Sequence, residues 1–233
     1  MDCRFPPGFV LSSSGDDPQT LQIDVAIQGF SRPVLHFAIR PRESAPEVHV
    51  YVCHFKSKAP TQVFRERWFR LDERRYQPHA AGLGAALSAI RRTAEAAALR
   101  FILSSRLKGT DTAVVLGDSN DGQHSSTANI PSEQPRYLVD DSPGGADNAL
   151  YTAKTLQEYR DTRDVYYTHA HQDIRESLEH ILVSEQFYDH SRKRQWLFGG
   201  LVINNDHLNF DNHKQIGTND HGIVRARFRW KPA

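Results

Sequence analysis

The chain has 233 residues, 39% of them hydrophobic, and 29 basic side chains against 28 acidic ones give a formal net charge of +1. That balance exerts no global pull toward nucleic acid, and no apolar run approaches the roughly 20 residues of a membrane-spanning helix. Two cysteines, Cys3 and Cys53, are too few for a disulfide framework or a Cys-x-x-Cys zinc site.

The length suits one α/β domain over residues 1–233 with a sizeable core. Met1-Asp2-Cys3-Arg4-Phe5-Pro6-Pro7 has no charged segment leading into an apolar stretch. No signal peptide is therefore in view, and the cytoplasm is the default compartment. Residues 1–19 read as irregular. Residues 21–29 largely alternate apolar and polar, which predicts a half-buried strand. Val34 to Ile39 and Val48 to Phe55 predict two more strands, joined by a charged hairpin connection from Arg40 to Glu47.

An arginine-rich stretch with Arg65, Arg67, Arg70, Arg74 and Arg75 follows, interspersed with acids and read first as a solvated face. The longest helical signal runs from Ala80 to Arg106, rich in alanine and with an apolar stripe at Leu83, Leu87, Ile90 and Leu99. Residues 112–117 (Thr-Ala-Val-Val-Leu-Gly) form a short continuous apolar run, as expected of a central strand covered on both faces. Residues 121–147 read as a long surface loop, and 148–159 as a second helix. Strands are expected again at 165–168, 180–184, 197–203 and 222–230. Helices and strands alternate without a linker, which argues for a single domain.

Four short polar motifs sit at the ends of these apolar runs: His54-Phe55-Lys56-Ser57, Gly117-Asp118-Ser119-Asn120, Ser177-Leu178-Glu179-His180 and Asn219-Asp220-His221. In the second, glycine permits a close approach. Asp118 can orient or deprotonate a water, and Asn120 can hydrogen-bond a phosphoryl oxygen. Glu179 beside a histidine would orient it, and a strand-end His54 can protonate or hydrogen-bond a phosphate. Asp220 can ligate a cation while His221 contacts the phosphate. Each motif alone is weakly specific, since turns favour Gly, Asp, Ser and Asn anyway, and Asn205-Asp206-His207 repeats the last of them. That repeat reads as a loop copy, because polar residues follow it instead of an alternating strand. His169 and His171, spaced i, i+2, would also suit a metal on a strand.

Taken in order, the four motifs resemble the endonuclease/exonuclease/phosphatase superfamily, the deoxyribonuclease-like hydrolases. Arg32-Pro33-Val34-Leu35 looks like the family's strand before its histidine motif. The resemblance spans roughly residues 20–230. It implies an α/β four-layer sandwich of two mixed sheets flanked by helices, and Mg²⁺- or Mn²⁺-dependent hydrolysis of a phosphate ester. By the same resemblance Asp118 activates the attacking water, Asn120 binds the phosphate, and His221 with Glu179 stabilises the developing charge. His54 assists the phosphate or leaving group, and Asp220 holds the cation.

The chain departs from the family in two ways. Glu179 stands where the family usually has Asp. The family also carries an Asn motif and a metal-binding Glu on earlier strands, whereas the first Glu here is Glu43. The expectation is therefore a chain lacking the N-terminal strands of the sandwich. The alternative is a non-catalytic module that keeps the phosphate cleft without the metal site. The substrate is expected to be a phosphate ester, with nucleic acid one class among several, and nothing in the sequence points to a protein partner.

Overall fold

The computed structural model describes residues 2–14, 22–107, 110–133, 149–162, 167–171, 174–209, 217 and 219–231. Strand β5 (Val48–His54) and strand β6 (Thr112–Asp118) are parallel neighbours, joined by helix α3 (Ala80–Arg106). Parallel strands need a long crossover, and the 27-residue helix between them fills that role. On β5 the sheet grows through β4 (Val34–Ile39) to the short β1 (Asp2–Cys3). On β6 it grows through β10 (Glu179–Val183) to β7 (Tyr151–Thr152). The result is a mixed six-stranded sheet in the order β1-β4-β5-β6-β10-β7.

The two faces of this sheet follow from strand alternation. Tyr51 and Cys53 of β5, Ala113 and Val115 of β6 and Leu182 of β10 pack with Ala96, Leu99 and Leu103 of α3. The intervening residues, among them Val50, Val52, Val114, Leu116, Ile181 and Val183, face the opposite way. There they meet an antiparallel ribbon of β11 (Trp196–Asn204) and β12 (Ile223–Trp230), through Trp196, Phe198 and Phe228. The sheets and flanking helices make a mixed α/β sandwich. Among the described residues its second sheet is small, a two-stranded ribbon. No helix of the described residues is long and apolar enough to cross a membrane.

The strongly periodic expectations match closely: α3 has the anticipated bounds, and so does β4. Other expectations need correction. Residues 1–19 are not simply irregular, since Val10–Ser13 (β2) pairs with Ile23–Ala26 (β3). The expected loop 121–147 contains helix α4 (Ser126–Ser132), which Ser125 caps by accepting the Ala128 N–H and which tolerates Pro131. In place of a helix over 148–159, β7 leads into α5 (Ala153–Glu158), and residue 148 lies outside the described residues. Of the strand expected at 165–168, residues 165 and 166 also lie outside them. The strand observed nearby is β8 (His169–His171), paired with β9 (Ile174–Glu176). The arginines between residues 65 and 75 sit exposed on or beside the short helices α1 (Arg67–Leu71) and α2 (Glu73–Tyr76).

Candidate active site

Because β5 and β6 run parallel, both deliver their C-terminal ends to the same rim of the sheet. Antiparallel β10 delivers its N-terminal end there. The register places His54 opposite Asp118 and Glu179 opposite Asp118. Parity does the rest. His54, Asp118 and Glu179 continue the rows of Val52, Leu116 and Ile181, so all three project toward the ribbon side. The chain entering β12 brings His221 to that side. Sites at the carboxyl ends of parallel strands are common in α/β folds, because backbone there emerges from the core onto a fixed frame.

The contacts are direct. His54 Nε2 lies 3.3 Å from Asp118 Oδ2, and His221 Nδ1 bonds Glu179 Oε1. His221 Nδ1 is also 4.0 Å from Asp118 Oδ2, while its Nε2 is 3.9 Å from Asp220 Oδ1. Asn120 donates its backbone N–H to Asp118 Oδ1 at 2.7 Å, and its Nδ2 to Phe55 O at 2.9 Å. The six residues expected at the site thus meet at one rim. Asp118 is largely buried, and that burial, with Glu179 as a like-charged neighbour, raises its pKa above the ordinary carboxylate value. Burial lowers the pKa of His54, against the pull of Asp118.

Gly117 shows why the rim closes so tightly. At φ +136° it lies against Cys53, and a Cβ there would stand 1.9 Å from Cys53 O. His180 has the opposite parity to Glu179 and points toward the α3 side. Its Nε2 pairs with Asp121 O at 2.9 Å, and burial pushes its pKa down to about 3, so it is a neutral structural imidazole.

Lys56, in the same motif as His54, turns its ammonium onto local oxygens, including Ala59 O at 3.0 Å. Two supports escaped sequence reading. Glu95, wholly buried on α3, accepts the backbone N–H groups of Ser31 (2.7 Å) and Lys56 (2.8 Å), pinning the end of β5. A charged residue in an alanine-rich stripe was the only signal for it. The Asn205-Asp206-His207 copy forms a 3₁₀ turn, and His207 Nε2 contacts His221 O at 3.1 Å. The repeated motif thus buttresses the site.

Beside the rim runs a groove of about 580 Å³ lined by Lys58, Asn120, His169, His171, Glu176 and His221. Two sets of metal-ligating side chains have ligand atoms within 4.8 Å of one another: Asp118, Glu179 and His221, and His169, Asp220 and His221.

No protein-family profile matches the chain, and no curated protein matches it in sequence. Among solved structures it is similar to the human Nocturnin catalytic domain with bound sulfate anion. That likeness has a TM-score of 0.48 and 16% identity, covering 87% of this chain and 54% of that one. It is also similar to a functionally unknown conserved protein from Enterococcus faecalis V583, with a TM-score of 0.46 and 12% identity, covering 86% of this chain and 57% of that one. The chain spans little more than half the length of these structures.

Proposed function

We propose that this chain is a divalent-metal-dependent phosphoesterase that hydrolyses a phosphodiester by water attack. The observation that carries the reading is the convergence of Asp118, His54 and the Glu179–His221 pair at one rim beside an open groove. Asp118 is the base. A carboxylate whose pKa is raised by burial accepts a proton from water more readily than an ordinary one. Glu179 accepts from His221 Nδ1, which fixes the ring with Nε2 directed away from Glu179, and His221 so held stabilises the charge that develops on the phosphate. The Asn120 amide spends one hydrogen on Phe55 O and keeps the other for the phosphate. His54, beside Asp118, serves the phosphate or the leaving group.

A divalent cation bound at the rim would neutralise charge on the phosphoryl oxygens. The family resemblance implies Mg²⁺ or Mn²⁺, with Asp220 as ligand. The donors gathered around Asp220, however, are two imidazoles and a single carboxylate, a poor fit to the oxygen cage a hard cation such as Mg²⁺ prefers. The substrate proposed is a phosphate ester, with nucleic acid one class within it.

The test is hydrolysis of bis-p-nitrophenyl phosphate by the purified chain, with Mg²⁺, Mn²⁺ or Zn²⁺ and with a chelator. Metal-dependent turnover that Asp118→Ala removes supports the reading; turnover unaffected by Asp118→Ala refutes it. One observation favours the second reading, a phosphate-binding module without catalysis: His169, Asp220 and His221 offer two imidazoles and one carboxylate, short of the oxygen ligands a hard cation such as Mg²⁺ prefers. Saturable phosphate binding with no turnover under any of the three metals would establish that module instead.

A further inference from the structure

We propose that His169, His221 and Asp220 form a binding site for a transition metal of the zinc class on the wall of the groove. Their ligand atoms already lie within 4.8 Å of one another. Backbone pairing holds them there. His169 and His221 form an antiparallel bridge, and Gly222 N–H donates to Thr168 O at 2.6 Å. The two imidazole rings sit with centroids 4.7 Å apart.

The orientation of His221 decides which side of it an ion can use. Its Nδ1 is engaged by Glu179, so Nε2 is the nitrogen left for a metal, and Nε2 is the atom 3.9 Å from Asp220 Oδ1. A carboxylate on the far nitrogen of a ligating histidine is the usual way such a ring is fixed in its metal-binding tautomer. The cluster of Asp118, Glu179 and His221 is the weaker candidate. Glu179 there is already bonded to the imidazole, and Asp118 already holds the Asn120 N–H and contacts His54. Metal–ligand bonds of roughly 2.0–2.2 Å in a tetrahedral site set ligand atoms about 3.4 Å apart. The observed 3.9 Å closes to that with a small side-chain adjustment.

Donor chemistry selects the ion. Two imidazole nitrogens and one carboxylate oxygen suit Zn²⁺ and its first-row neighbours, whereas Mg²⁺ keeps its waters and seeks oxygen. Three protein ligands leave a position open. His169 and His221 both line the groove, so that position faces the space a substrate would enter. His171, two residues along β8 with its ring 6.1 Å from that of His169, lines the same groove. The site rests on these donors and not on any activity of Asp118.

The experiment is titration of metal-free protein with Zn²⁺ by calorimetry and by competition with a chromophoric chelator. It uses wild type, His169→Ala, Glu179→Gln and, as a control on an exposed histidine elsewhere, His79→Ala. Circular dichroism checks that each variant is folded. Wild type and His79→Ala should bind one Zn²⁺ per chain with equal affinity, and excess Mg²⁺ should not displace it. Glu179→Gln, which keeps all three ligands, should weaken binding by about 10–100-fold, and His169→Ala by more.

Equal affinity in wild type and His169→Ala overturns the site, as does displacement by Mg²⁺ or an equal loss in His79→Ala. Zinc binding that needs His169, without hydrolysis of bis-p-nitrophenyl phosphate, upholds the metal site and removes the phosphoesterase reading. Asp118-dependent hydrolysis, with zinc affinity indifferent to His169, does the reverse.

Discussion

Asp118 and Asn120 are locked together: the Asn120 backbone N–H donates to Asp118 Oδ1 at 2.7 Å, with Asn120 in the left-handed region at φ 54°. The carboxylate thus has a structural duty as well as its proposed chemical one. Asp118→Asn separates the two, because an amide oxygen can still accept that N–H but cannot take a proton from water. We expect Asp118→Asn to keep a near-native thermal midpoint and to lose about 10²–10⁴-fold in the rate of phosphodiester hydrolysis. Initial rates and melting curves on the same preparations check it. A folded variant with wild-type rate removes Asp118 as the base.

Gly117→Ala is predicted to destabilise the protein severely. Two effects add. The residue holds φ +136°, outside the range an alanine adopts at ease, and its new methyl would stand 1.9 Å from Cys53 O. Strain of this kind costs about 1–3 kcal/mol before any clash, and the β5–β6 pairing would have to part to relieve the contact. Urea unfolding should show a large fall in midpoint. A midpoint within error of wild type would mean that the two strands are not this close.

What could be read in the sequence divides along a physical line. Periodic, apolar stretches declared themselves: α3 and β4 have the bounds their patterns predict. Elements decided by a cap or by tertiary contact did not. Helix α4 is short, holds Pro131 and depends on the Ser125 cap, so its composition reads as a loop. Strand β2 exists through its pairing with β3. The positions of the site residues were legible because each ended an apolar run, but their meeting depends on β5 and β6 being parallel neighbours, which no local pattern states. The supports were least legible. Glu95 looks like one polar residue on a helix, and His207 like a spare copy of a motif. Nothing in the sequence says that Asp220 and its neighbour His221 have the distant His169 for company.

Glu95→Ala tests the hidden support. The variant strips the acceptor from two backbone N–H groups, those of Ser31 and Lys56, and from Arg91 Nε at 3.2 Å. A donor left without a partner away from water costs about 1–3 kcal/mol, and the two bonds lost here are part-buried. The expected result is a loss of about 2–5 kcal/mol in urea unfolding, larger than a typical surface substitution on a helix. Because Lys56 follows the end of β5 by two residues, hydrolysis should fall as well, through displacement of His54. A neutral stability effect would show that Glu95 does not hold this strand end.

Lys154 on α5 carries a prediction about pH. Its side chain is buried and its Nζ bonds Ser177 Oγ. Burial drives its pKa from the usual 10.5 down to about 7, with Glu179 and Glu158 pulling weakly the other way. The folded value therefore lies below the unfolded one. Between those values the unfolded chain binds a proton that the folded chain lacks, so stability must rise with pH across that window. The penalty is complete below about pH 7 and gone above about pH 10.5. Lys154→Met removes the titrating group while filling much the same space. Urea unfolding of both proteins at several pH values between about 7 and 10 should then show wild type gaining on the variant as pH rises. The slope should approach about 1.4 kcal/mol per pH unit in the middle of the window. A difference that stays flat across the whole range would mean that Lys154 remains charged inside the fold.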